Sequence, residues 1–389
     1  MRRRLFQPEK IERVVVRGVN WVGDAVMTIP ALRELRRILP QAHITLATRS
    51  WAEGLFADAD FLDEILIYDR APRSLKAVAR QTREWRRRKF DLALLFQNAF
   101  EAALIAAAAR VPYRMGYATD GRAALLTHPL AVPEWRSNRH EVFYYLNIVA
   151  KLEELFYMEA GASRRPRTDR VMKDLLPDNL SVQEGELATS VFEPQFSLNI
   201  SDERKTQASE LLSSLGVILD KPLVALCPGS TNSRAKRWPA ERYAAVADRF
   251  VKEADANVLL IGSPDELEVS LEVAQRMRQR PVMLTGKTNL AQAVAILSLA
   301  DALITNDTGP AHIAAALGRP TLVIFGPTDP RTTRPYPAVA EIIRRPPDCA
   351  PCMLRDCPID HRCMTAITSD EVFERASMMM KKNLTGAYS

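Results

Sequence analysis

Four short stretches concentrate the side chains able to do chemistry. In "VVVRGVNWVGDAVMTIP" (14–30) apolar strand-formers pass through a Gly-containing turn into an amphipathic helix, and Asp24 sits in the joint directly after Gly23. A carboxylate there is either a helix cap or an acid held where a buried strand opens to solvent, and the residues alone leave both readings open. "CPGSTNSRAKRWP" (227–239) supplies a Gly229–Ser230 turn, hydroxyls at Ser230 and Thr231, and Lys236, a cation able to balance a diphosphate. In "NDTGPAH" (306–312), Asp307 or Thr308 can cap a helix starting near Pro310, and Gly309 lets a ligand approach the backbone. Amides exposed there, at the positive end of the helix dipole, suit a phosphate. His312 lies in the first turn within reach of the same anion, or else packs beneath a capped helix. The fourth stretch, "CAPCMLRDCPIDHRCM" (349–364), spaces Cys349, Cys352, Cys357 and Cys363 as a zinc site could use them, with His361 nearby. Packing and redox-labile thiols are the other readings; disulfides are disfavoured in a reducing cytosol.

These stretches must be positioned by strands and helices, and the periodicity places them. "RVVVRG" (13–18), "ITLATR" (44–49), "EILIY" (64–68) and "DLALLFQ" (91–97) read as short strands separated by helices, among them 26–38 and 75–88. A second series follows: strands at 222–230, 257–263, "VMLTG", 300–307 and 320–327, with helices at 239–253, 265–278, 289–299 and 310–317. Alternation of this kind predicts largely parallel sheets covered by helices. Two Rossmann-like halves are therefore expected, with ligands beyond the carboxyl ends of the strands, where Asp24, the 228–239 stretch, "GSPDE" and "NDTGPAH" fall. Between the series, residues 155–200 mix Pro, Ser, Gly and charge, which suggests an irregular linker or insertion. The expected domains are 1–200 and 201–368, with a final helix over 369–389 crossing back to the first domain.

Length and composition agree with this plan. A chain of 389 residues exceeds what one hydrophobic core usually supports. Apolar residues make up 47% and charged residues 26%, as in a soluble globular enzyme. The longest apolar runs are too short to cross a bilayer and the first residues lack a signal-peptide pattern, so a cytoplasmic protein is expected. Net charge is +6, and residues 1–170 carry 29 Lys and Arg against 20 Asp and Glu. A basic first half suits an anionic partner, although "REWRRRK" (83–89) reads as solvated helix surface. No helix-turn-helix, zinc-finger or RNA-binding signature is present, which argues against nucleic acid. The P-loop and GxGxxG fingerprints are absent too, and the only DxD, "DAD" at 58–60, belongs to the wrong half for a metal-held sugar nucleotide.

Jointly, "NWVGDAVMTIPALRELRRILP", "CPGSTNSRAKRWP", "NDTGPAHIAAALGRPTLVIFGPTDP" and "CAPCMLRDCPIDHRCM" resemble the bacterial lipopolysaccharide heptosyltransferases of glycosyltransferase family 9, most closely the heptosyltransferase II type. The resemblance implies an α/β GT-B fold, two Rossmann-like domains facing each other across a cleft. It implies inverting transfer of heptose from ADP-L-glycero-β-D-manno-heptose to a heptose hydroxyl of a lipid-linked inner-core acceptor, with no metal or other cofactor. The acceptor side would occupy the first domain, in peripheral contact with the cytoplasmic face of the inner membrane. Asp24 becomes the general base; Lys236 and the Thr308–Gly309 helix end meet the charge on the departing ADP. Gly229, Ser230, Thr231, Asp307 and His312 are then donor contacts, and an acid after the next strand, Asp265 or Glu266, holds the ribose. Arg114 and Arg122, in the basic half, are expected to face anionic groups of the acceptor or to satisfy loop carbonyls. Two other readings stand beside this one: a related enzyme using another nucleotide sugar, and a non-catalytic nucleotide-binding module in which Asp24 is only a cap.

Overall fold

A computed structural model describes residues 7, 10–68, 74–159, 195–336 and 339–384. The chain divides into two compact units: described residues up to Glu159, with Gln195, belong to the first, and Phe196 opens the main body of the second. Most of the irregular stretch expected over 155–200, residues 160–194, lies outside the described residues.

The first unit is built on six parallel strands: β1 (Arg13–Arg17), β2 (His43–Thr48), β3 (Glu64–Ile67), β4 (Leu92–Leu95), β5 (Tyr113–Tyr117) and β6 (His128–Leu130). Their spatial order is β3-β2-β1-β4-β5-β6, so the winding reverses between β1 and β4. Val14, Val15 and Val16 of β1 and all four residues of β4 are fully buried, as expected for strands covered on both faces. Trp85, Phe90, Ala102, Ile105 and Ala106 fill one side of the sheet. The helix Glu141–Glu159 lays Val142, Leu146, Val149 and Leu152 against the interior and carries Glu141 at its first turn.

The second unit repeats the plan. Strands β7 (Leu223–Cys227), β8 (Asn257–Leu260), β9 (Val282–Met283), β10 (Ala302–Asn306), β11 (Thr321–Phe325) and β12 (Ala340–Arg344) pair in parallel in the order β12-β11-β10-β7-β8-β9. Counted from its own first strand, this is the same order as in the first unit, with the reversal between β7 and β10.

Two expectations are corrected. The helix read over 26–38 is two helices, Val22–Met27 and Ile29–Ile38, because the chain turns at Thr28, whose Oγ1 donates to the Ala25 carbonyl at 2.6 Å, just before Pro30. The final helix, Ser369–Leu384, belongs to the core of the second unit: Val372, Phe373, Ala376, Met379 and Met380 are buried with Ala244, Ala247, Phe250, Leu322 and Ile324. Its Met-rich face is thus core, which offsets the conformational cost of ordering the flexible methionines. Among the described residues no helix is long and apolar enough to cross a membrane.

Candidate active site

In the second unit the chemistry gathers where the winding reverses. Leaving β7, the chain forms the Pro228–Ser230 turn and then a short 3-10 turn, Arg234–Lys236. Lys236 Nζ donates to Asp307 Oδ2 at 2.7 Å and to the Asp307 carbonyl at 3.2 Å, and Thr328 Oγ1 donates to the same carboxylate oxygen at 2.7 Å. The Asp307 side chain is 5% exposed, whereas that of Lys236 keeps 24%. The carboxylate is thus an internal anchor, and the ammonium, held on one side, remains open to an anion on the other.

The helix Gly309–Ala316 starts beside this pair. Thr308 is its N-cap residue, but no side chain caps it; Thr308 Oγ1 donates instead to the Asn306 carbonyl at 3.3 Å. Neither Asp307 nor Thr308 therefore closes the helix end, and the dipole there is available to a phosphate. His312 is buried, and desolvation lowers its pKa to about 4; the Asp307 charge opposes that shift and the Lys236 charge adds to it more weakly. It is neutral near pH 7, so it adds no positive charge for an anion.

Gly229 has a steric reason. A Cβ there would stand 2.4 Å from the Cδ and Oε1 atoms of Glu266, so the carboxylate packs directly under the turn. Glu266 Oε2 accepts from the Ser263 amide at 2.7 Å and from Ser263 Oγ at 3.0 Å, a capping box at the start of Pro264–Glu266. Of the two acids considered for the ribose, Glu266 is the one brought to the Gly229 turn, whereas Asp265 is exposed. Thr231 Oγ1 lies 3.4 Å from Ser263 Oγ, and Ser230 is buried with its carbonyl accepting from Arg237 Nε and Nη2 at 3.3 and 3.1 Å.

One organiser of this cradle escaped the sequence reading. Asn306, fully buried at the end of β10, donates to the Pro228 and Gly229 carbonyls at 2.8 and 3.1 Å and accepts from the Trp238 amide and the Tyr243 hydroxyl, both at 3.1 Å. It ties the Gly229 turn to the Lys236 segment. Its signal was the Asn directly before "DTG", read only as part of a strand end.

In the first unit, Trp21 is the N-cap residue of Val22–Met27, with no side-chain cap hydrogen bond, and Asp24 lies one turn inside. The cap reading of Asp24 therefore fails. Burial raises its carboxyl to about 6, and the Arg136 charge opposes that rise. Glu141 is raised to about 7 by burial, with the Asp24 charge adding to the shift and Arg136 resisting it. Arg136 grips Glu141 with both guanidinium nitrogens, at 2.8 and 2.5 Å, and lies over the Tyr144 ring at 4.1 Å. This Arg136–Glu141 pair around the acid leaves no mark near Asp24 in the sequence, because the two residues belong to a short 3-10 helix, Glu134–Ser137, and the helix after it, more than a hundred positions downstream.

Arg114 and Arg122 are corrected as ligand contacts. Arg122 is 0% exposed; its Nε donates to the Tyr117 carbonyl at 2.8 Å, Nη1 to the Gln97 carbonyl at 2.5 Å and Nη2 to Asn98 Oδ1 at 2.9 Å. Arg114 is buried on β5 and donates to the Leu125 and Val111 carbonyls at 2.7 and 2.5 Å. Both guanidinium groups are consumed in bracing loops. Arg122→Leu is expected to destabilise the chain by about 2–4 kcal/mol, since it strands buried carbonyls, without a selective rise in the KM of any acceptor. Urea unfolding and steady-state kinetics on the folded variant check this.

Elsewhere, Asp60 of the "DAD" sequence pairs with Arg33 at 3.1 Å. Cys227 is buried in β7, and its thiol is pushed up by that burial. Cys363 is raised to about 11 by burial and by the neighbouring Cys357, Cys352 and Cys349 thiols.

Two doubly wound units, the first holding the neighbouring acids Asp24 and Glu141, both of raised pKa, and the second a lysine beside an uncapped helix end, fit a transferase of the α/β class. The chain belongs to glycosyltransferase family 9 (heptosyltransferase), whose family model matches residues 78–362. It is therefore a glycosyltransferase. It is 28% identical over 340 residues to lipopolysaccharide heptosyltransferase 2 of Salmonella typhimurium, covering 85% of this chain and 88% of the relative. It is 25% identical over 377 residues to lipooligosaccharide heptosyltransferase 2 of Campylobacter jejuni, covering 95% and 99%. The fold matches the GT-B fold of E. coli ADP-heptose heptosyltransferase II, with a TM-score of 0.75 at 24% identity over 95% and 99% of the two chains. A family 9 glycosyltransferase from Veillonella parvula gives 0.77 at 24% identity, over 95% and 97%.

Proposed function

We propose that this enzyme is an inverting heptosyltransferase of lipopolysaccharide core assembly, moving heptose from ADP-L-glycero-β-D-manno-heptose to a heptose hydroxyl of a lipid-linked inner-core acceptor. The observation that carries the reading is the state of Asp24: half-buried, uncommitted to capping, and raised to about 6. A base of that strength is ionised at neutral pH yet still takes a proton effectively.

In the reaction, the Asp24 carboxylate removes the proton of the acceptor hydroxyl as its oxygen bonds to the anomeric carbon. The bond from that carbon to the β-phosphate oxygen breaks, and ADP leaves with the electron pair. Attack from the opposite side inverts the configuration. Lys236 and the uncapped end of Gly309–Ala316 stabilise the charge that grows on the phosphate, preorganised by Asp307 and Thr328. Gly229, Ser230 and Thr231 line the diphosphate, Glu266 holds the ribose, and His312 packs as a neutral imidazole behind Lys236. The chemistry so described draws on no metal. A lipid-linked acceptor places the working enzyme peripherally at the cytoplasmic face of the inner membrane.

Transfer from ADP-heptose to defined heptose-bearing core acceptors, read by mass spectrometry and product linkage, tests the proposal. Folded protein that transfers to none of them overturns it. In thermal shift, ADP is expected to stabilise the unliganded protein by about 2.7 kcal/mol at a hundred times its Kd, and UDP or GDP at the same concentration by less. A preference for UDP or GDP indicates another donor within the same enzyme class.

A further inference from the structure

The segment from Arg345 to His361 joins β12 to the short helix Arg362–Thr365 without a strand or helix of its own. Loops of that length inside a compact domain need something to hold them. This one has little core: Met353, Leu354 and Ile359 are 61%, 46% and 64% exposed. Two of its non-glycine residues, Met353 and His361, adopt φ of 57°, a left-handed conformation that costs free energy. What the loop does have is sulfur. Cys349, Cys352, Cys357 and Cys363, distant from one another in a strand or helix, here line one small cavity together with His361.

We propose that these four cysteines bind a thiophilic transition metal, which staples the loop. Thiolates in fours are the ligand set of zinc and of iron–sulfur centres, and irregular segments with little core are where such staples substitute for burial. Among the described residues no three His, Cys, Asp or Glu side chains already stand where a single ion needs them. Loading therefore either draws the thiols inward around one ion or fills the cavity with a polynuclear cluster.

The staple has a target. The loop clasps the turn that delivers Lys236: the Ala235 amide donates to the Arg355 carbonyl at 2.9 Å, Ser233 Oγ to the Leu354 and Arg355 carbonyls at 3.3 Å, and Arg234 pairs with Asp356 at 2.7 Å. His361 Nε2 meets the Ala235 carbonyl at 2.6 Å, which leaves the thiols as the ligands and the imidazole as the link to the turn. Metal occupancy thus sets how firmly Lys236 is held, a consequence that rests on the donor-site reading above.

The full chain purified anaerobically without chelator, then analysed for zinc, iron and acid-labile sulfide, tests the site. About one zinc per chain supports a single ion; iron with matching sulfide and an absorbance band in the visible supports a cluster. Either is lost in Cys352→Ser/Cys357→Ser. Metal below a tenth per chain, with no uptake from added Zn²⁺ or Fe²⁺ and sulfide and with the loop thiols still reactive to a thiol reagent, overturns the proposal. These readouts are independent of turnover, so a failure of the transferase reading leaves them intact. Where metal is present, its removal is expected to weaken ADP binding at least tenfold and to lower heptose transfer at saturating donor as well.

Discussion

Asp24→Asn lowers kcat by about 10²–10⁴-fold while ADP binds as tightly as before, because the substitution removes a proton acceptor and nothing in the donor cradle. The size reflects a base acting in the transition state, and isothermal titration with ADP separates it from damage to binding. The pH dependence carries a second signature. With its carboxyl at about 6, the enzyme loses activity as pH falls through that value, with Glu141, raised to about 7 and in part by Asp24 itself, sharing the titration. The effect on stability has the opposite sense. Burial disfavours the charged form, so the folded state gains from the neutral acid below its ordinary value near 3.8, and this gain is lost as pH rises through about 6. Asp24→Asn is therefore expected to be more stable than the parent at pH 8, by about 2 kcal/mol, and no more stable at pH 3.5. A variant that turns over normally, or that loses ADP affinity in step with kcat, removes Asp24 from the chemistry.

Lys236→Met is the other change with a large expected effect. It deletes the cation facing the diphosphate and leaves the Asp307 carboxylate, almost wholly enclosed, with only the Thr328 hydroxyl. Two losses follow. kcat/KM is expected to fall by about 10²–10³-fold, the scale of removing one preorganised donor from a developing charge. Stability falls by about 1–3 kcal/mol, discounted from the buried-pair value because the ammonium is partly in water. Lys236→Met/Asp307→Asn separates the two: the second change relieves the stranded charge and restores stability, but not turnover. Steady-state kinetics beside urea unfolding of both variants gives the answer, and recovery of turnover in the double variant would make Lys236 a structural residue only.

Much of the fold was readable because parallel strands buried on both faces appear as continuous apolar runs, and "RVVVR", "LVALC" and "TLVIF" are such runs. The donor cradle was readable for a related reason: its parts lie at strand ends, each marked by Gly beside hydroxyl or charged residues. Contacts between segments distant in sequence left no local mark. For Arg122 an acceptor contact and the bracing of loop carbonyls were equally open, and the carbonyls of Gln97 and Tyr117 that converge on it decide for the second; convergence of backbone oxygens has no residue signature. The Arg136–Glu141 pair near Asp24 was hidden likewise. For the final helix, an apolar face says that it is covered but not by which domain, and the packing with Phe250 and Ile324 places it in the second unit.

The duplicated winding makes the loop after β4 and the loop after β10 topological twins, each the partner of its sheet's opening turn. Their fates diverge. In the first lobe, the twin at Gln97–Ala99 is bolted shut from within by a guanidinium; in the second, the twin at Asp307–Gly309 leads into a helix end that no side chain caps. The same winding thus serves internal bracing in one lobe and an open helix end in the other, so substitutions at Gln97–Ala99 are expected to cost stability and those at Asp307–Gly309 to cost ADP affinity.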